Sequence, residues 1–206
     1  MIVKYINNSF YDTLKLNGVY PVLSFEEERF LIGDGNEIVW LTQNYFNIIK
    51  NKKCDYIIEK NIETPTYTHK NLANKEFLLK FYLEEEEYDE IKNLILITEK
   101  EIFEKECEFE ELIDYLNGHC NNEQIYYIIL DSLLTKVSKK EIERFIKVIS
   151  NILDDFEGDL LIKLINLLTK YQSLEIFNII CDIYSTKKII DKNVILLLEN
   201  YIMNYN

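Results

Sequence analysis

Glycine and proline are scarce in this chain, five and two residues among 206. That shortage disfavours an all-β sandwich, which spends many of both on tight turns. Histidine occurs twice, as His69 and His119, each in a polar stretch, and no G-x-S-x-G elbow is present. A nucleophile, base and orienting group for covalent catalysis therefore have no visible framework. The four cysteines, Cys54, Cys107, Cys120 and Cys181, form no C-x-x-C pair. Cys107 lies twelve residues before the adjacent His119–Cys120 and no fourth ligand stands near, so zinc spacing is missing and these residues read as core and loop positions. Gly33-Asp34-Gly35 fits neither the dinucleotide nor the P-loop fingerprint. No run approaches the ~20 apolar residues of a membrane span. MIVKYINNSF lacks the apolar centre of a signal peptide. The chain is expected in the cytoplasm with reduced thiols and no cofactor.

What is plentiful is acid, and it is local. Residues 73–120 hold 15 Asp+Glu against five Lys, whereas 1–72 carries nine acids against eight bases and 121–206 twelve against ten. Most of the net charge of −13 thus sits in one segment. Its first run is Glu84, Glu85, Glu86, Glu87, Asp89 and Glu90; its second is Glu104, Glu106, Glu108, Glu110, Glu111 and Asp114. Consecutive glutamates on a helix point around the cylinder and cannot converge on one metal, and the calcium-loop order D-x-D-x-D-G is absent. Like charges at i,i+4 each cost a few tenths of a kcal/mol. A sequence that keeps so many either needs only solvation or presents them to a cation. A pI near 4.7 argues against direct nucleic-acid binding and against an anionic membrane surface.

The first third reads as β-structure: Ile2–Ile6, Val19–Phe25, Arg29–Ile32, Glu37–Leu41, Tyr45–Ile49 and Asp55–Glu59. Pro21 suggests an edge strand or a strand start. Asp34-Gly35 signals a hairpin turn, because Gly35 accepts the positive φ such turns need. Strands this short, in about 60 residues, fit a small bent barrel that hides its edges. The stretch from Lys60 to Asn74 is the best linker, with room for one short strand at Thr66–His69.

Gly18, Tyr20, Val22 and Leu23, then Ile32, Asp34, Gly35 and Trp40, then Phe46, follow a strand–hairpin–strand order. This order resembles the SH3-like barrels of small bacterial and phage proteins, over roughly residues 14–80. The resemblance implies a fold and carries no site with it. Trp40, on a strand in such barrels, is read as a core residue.

The remainder reads as helix. Thr98–Glu101 and Ser138–Glu141 have the form of capping boxes. Apolar stripes follow: Ile125, Ile129, Leu133, Val137; Ile142, Phe145, Ile146, Ile149, Ile152, Leu153; Leu161, Leu164, Leu168, Tyr171; Leu174, Phe177, Cys181, Tyr184; and Ile195, Leu198, Ile202, Tyr205. Helix starts near 122, 139, 159, 173 and 191 have the pitch of helical-hairpin repeats, although a compact bundle fits nearly as well. Segments 125–130 and 160–165 are apolar on more than one face, as in helices buried on two sides.

The sequence therefore predicts an α+β protein: an SH3-like barrel over 1–72, then a domain over 73–206 of six or seven helices, as a bundle or short helical repeat, with the acidic segment first. The function expected is non-enzymatic inhibition of a basic protein through the twelve acidic residues named above, most concretely by a bacterial immunity protein that neutralises a toxin. Alternatives are a phage-encoded inhibitor of a nucleic-acid enzyme, a helical scaffold that holds a peptide, or an enzyme with paired carboxylates.

Overall fold

Among the described residues of the structure, a computed structural model, seven strands precede seven α-helices, so the chain is α+β. It describes residues 1–7, 14–33, 38–52, 55–59, 65–73, 85–118, 123–186 and 191–205, with side chains omitted for 85–90. The chain divides into two compact units, 1–136 and 137–206. The boundary expected at 72/73 falls within unit 1, which holds the sheet and three of the described helices. Each unit is described by itself.

The strands are β1 (Ile2–Tyr5), β2 (Val19–Phe25), β3 (Arg29–Gly33), β4 (Ile38–Thr42), β5 (Phe46–Lys50), β6 (Tyr56–Glu59) and β7 (Thr66–His69). All pairings are antiparallel, in the order β4-β3-β2-β1-β5, with β7 also on β2 and β6 on β7. β2 is the shared strand. Val19–Pro21 pair with β1, and Val22–Phe25 pair with β3 on one edge while Ser24 and Phe25 meet β7 on the other. The sheet is open: among the described residues no ladder joins β4 to β5, so the closed barrel expected from strand length is not formed there. A 3₁₀ turn, Gln43–Tyr45, links those two strands instead.

Pro21 lies in this central strand and not at an edge, which corrects the reading of that residue. The Val22 N–H donates to the Met1 carbonyl, so the neighbouring Ile2–Pro21 pair is of the non-hydrogen-bonded kind. The Pro21 nitrogen then faces the other edge, where β3 pairing begins only at Val22. No ladder bond is lost.

All seven residues of β2 are buried, which explains a run of apolar residues without alternation. One face joins Val3, Tyr5, Tyr20, Val22, Phe25, Phe30, Ile32, Leu41 and Phe46. Rings meet there as Tyr5–Phe46 at 5.4 Å and Phe30–Phe46 at 5.9 Å. The other face carries Leu23, Leu31, Ile38 and Trp40 against Leu72 and against Ile91, Leu94 and Ile95 of α1 (Glu85–Glu106). Trp40 is half-buried in that second core, with the Arg29 guanidinium 5.3 Å from its ring. Gly18 is required by a close approach: an added Cβ would lie 2.8 Å from the Tyr20 hydroxyl, which accepts the Lys15 N–H at 2.8 Å. The Asp34-Gly35 turn lies outside the described residues; β3 and β4 pair as an antiparallel hairpin whose last described pair is Gly33–Ile38.

α1 contains the predicted capping box as an interior turn. Thr98 is fully buried and its hydroxyl donates to the Leu94 carbonyl one turn back, so no helix starts there. α2 (Phe109–Gly118) and α3 (Glu123–Lys136) follow, and α3 packs on both α1 and α2. That double contact is the reason for its apolar breadth.

The second unit holds α4 (Ile142–Ile152), α5 (Gly158–Leu168), α6 (Leu174–Thr186) and α7 (Lys192–Met203). α6 touches α4, α5 and α7. The Ser138 box exists here: the Ser138 N–H donates to Glu141 Oε2 at 3.2 Å, and the Ser138 hydroxyl accepts from Lys140 N–H at 3.2 Å. The stripe predicted for α6 is corrected. Its buried residues are Ile176, Ile179, Ile180 and Ile183, while Leu174 and Tyr184 are exposed. The helix is apolar on two faces, and the isoleucine face wins the core. Phe177 stacks instead on Tyr205 at 4.4 Å.

Leu23→Ala, in the strand with both faces covered, should lower stability by about 3 kcal/mol. Met203→Ala, at 77% exposure, should change it by less than about 0.5 kcal/mol. Urea unfolding midpoints at unchanged slope measure both.

Candidate functional site

The acidic segment spreads over α1 and α2, and its carboxylates differ in fate. Glu84 lies outside the described residues; Glu85, Glu86, Glu87, Asp89 and Glu90 form the first two turns of α1. Glu104 pairs with Lys100 at 3.7 Å, and Lys100 also holds Asp131 of α3 at 2.5 Å. Glu106 is buried and pairs with the Met1 ammonium group, which also bonds the Tyr56 hydroxyl at 3.0 Å. Burial raises the Glu106 carboxyl above its usual range, against the pull of that ammonium group. Glu106 is therefore an internal tie and not part of a surface. Glu111 bonds Lys50 of β5 at 2.5 Å and accepts the Glu108 N–H at 2.9 Å, closing the start of α2. Burial pushes its carboxyl up, but these two bonds outweigh it and hold the group below its usual range. Glu108, Glu110 and Asp114 remain exposed.

A second constellation has no counterpart in the linear reading. Asp55 at the start of β6, His69 at the end of β7 and Glu101 of α1 bring ligand atoms within 4.8 Å of one another. Lys70 Nζ lies 3.0 Å from Asp55 and 3.2 Å from Glu101; Lys105 Nζ lies 3.3 Å from Asp55 and also bonds Glu101. Asn71 donates its side-chain amide to Glu101 Oε2 at 2.7 Å. Lys105 and Asn71, with Lys70, hold the Glu101 carboxyl down at about 2. Lys70 and Lys105 likewise lower Asp55 against its desolvation. His69 is 1% exposed, its ring set edge-on to Tyr56 at 5.6 Å. Burial lowers its pKa, so the ring is neutral at pH 7. No local spacing could reveal this group, because three elements supply it.

Cys107 is buried beside α2 and its thiol is pushed up to about 12 by desolvation, which makes it inert. Cys54, His119 and Cys120 lie outside the described residues. Tyr126 and Tyr127 meet edge-on at 6.0 Å, and the Tyr201 hydroxyl donates to the Tyr171 carbonyl at 2.8 Å.

No protein-family model, curated protein or solved structure matches the chain.

Glu101 contributes stability above its unfolded value near 4.5, and that contribution is lost as pH falls from there through about 2. Its side chain is a quarter exposed, so solvent screening reduces the effect to about 1–2 kcal/mol. Glu101→Gln should lower stability by that amount at pH 7 and flatten the stability profile between pH 4.5 and 2, measured by urea unfolding at stepped pH.

Proposed function

We propose that this protein is a non-enzymatic, cytoplasmic inhibitor that binds a basic protein, most concretely an immunity protein that neutralises a toxin of its own cell. One observation carries the reading: four lysines around the acidic segment are already engaged, while three acids at α2 are exposed. Lys50, Lys70, Lys100 and Lys105 are each held by carboxylates. Glu108, Glu110 and Asp114 face solvent on α2, and five more acids start α1. Exposed acid concentrated in this way steers a cationic partner and raises its association rate above the ordinary ~10⁵–10⁶ M⁻¹s⁻¹.

The strand pattern supports reading residues 1–72 as an SH3-like arrangement. β2 is shared between two ladders, and a 3₁₀ turn separates β4 from β5. A phage-encoded inhibitor of a nucleic-acid enzyme would use the same acids in place of phosphates. The helical scaffold is favoured by a different observation: α4 to α7 begin 16, 16 and 18 residues apart, at 142, 158, 174 and 192, near the spacing of helical-hairpin repeats.

Basic proteins encoded beside the gene are the partners to try. For one that binds, the on-rate should fall roughly tenfold between 50 and 500 mM NaCl. The triple change Glu108→Gln, Glu110→Gln, Asp114→Asn should slow association several-fold and leave dissociation nearly constant, as read by surface kinetics. An on-rate indifferent both to salt and to these changes would favour the scaffold.

A further inference from the structure

We propose that Asp55, His69 and Glu101 form a binding site for one divalent transition-metal ion of the zinc type, which enters by displacing the Lys70 and Lys105 ammonium groups.

The donor set is the first argument. One imidazole and two carboxylates suit zinc, manganese or cobalt; an all-oxygen set would suit calcium or magnesium. Three protein ligands leave a fourth position for water, as in open zinc sites. Distance is the second. Bonds of about 2.0–2.2 Å to a tetrahedral ion place ligand atoms about 3.3–3.6 Å apart. The three donors start within 4.8 Å of one another, so a contraction of about 1 Å by side-chain rotation suffices.

Charge is the third argument. Two ammonium groups neutralise the two carboxylates, and a dication replaces them without changing the total. Lys70 and Lys105 are 42% and 44% exposed, so their heads swing into water while the backbone stays in place. His69 is buried beside the two carboxylates, and its Nδ1 carries the ring's acceptor lone pair, met now by the Asn71 N–H at 3.4 Å. The supporting contacts are already there. Asn71 holds Oε2 of Glu101 and the Tyr56 ring lies edge-on to the imidazole, while the long Asn71 N–H contact to His69 Nδ1, 3.4 Å, is given up when the ion takes that lone pair. The site would tie the end of β7 and the start of β6 to α1, which the two lysines now do less directionally.

The test uses the full chain, reduced, at pH 7. Titration with Zn²⁺ in the calorimeter should show one ion per chain. His69→Gln and Glu101→Gln should each weaken binding by about tenfold or more. The double variant Lys70→Met, Lys105→Met removes the competing ammonium groups and should tighten it by about tenfold. Co²⁺ should give a ligand-field spectrum without thiolate-to-cobalt charge transfer. Should His69→Gln fail to fold by circular dichroism, the other two variants decide. Absence of saturable binding by the natural sequence overturns the proposal. So does an affinity unmoved by either ligand change, or a thiolate band showing that the cysteines hold the ion.

Discussion

β2 is the constraint on which the first unit rests. Its seven residues are buried because the sheet is covered twice, by its own aromatic interior on one side and by α1 on the other. A strand with one face in water would need alternating polar residues; VYPVLSF has almost none. The polar exception, Ser24, is satisfied inside: it lies 3.0 Å from the Thr68 hydroxyl and donates to the Tyr67 carbonyl at 3.0 Å. β1, β3 and β7 all pair with this strand, so its covering by α1 makes the sheet and the acidic helix one folding unit.

Charge follows from that packing. α1 lies along the sheet, and two of its inward acids are met by cations. Glu101 found two lysines, and Glu106 found an ammonium group. Buried or half-buried carboxylates without such partners would cost several kcal/mol each. Gly33 belongs to the same accommodation, because a Cβ there would stand 2.0 Å from Glu99 Oε1. Glu108, Glu110 and Asp114 at α2 are exposed, and the proposed docking depends on them. One stretch of sequence thus holds both internally paired and exposed acids, divided by which helix face each residue occupies.

The second unit is simpler in its physics. Four helices of 11 to 13 residues bury mainly isoleucine and leucine, and their ends use local devices. Asp191 accepts the Asn193 N–H at 2.7 Å and the Val194 N–H at 3.3 Å to begin α7. Tyr184 of α6 reaches Glu199 of α7 at 3.0 Å, a cross-helix bond at the surface.

Strand and helix positions were legible in the sequence because they depend on near neighbours. β7 fell on the expected Thr66–His69, and four of the five helix starts came within two residues of the structure. Local pattern also located the Ser138 cap, since a hydroxyl and a glutamate three residues apart need only each other. Thr98–Glu101 carries the same letters and is no cap, because tertiary burial kept α1 continuous through it. The α6 core face was misread for a related reason: with apolar residues on two sides, the neighbours choose. What the sequence determined by itself was therefore periodicity, composition and the concentration of acid. Only the tertiary structure decided which acids are neutralised and that residues 55, 69 and 101 meet, because such contacts close long loops and leave no trace in local spacing.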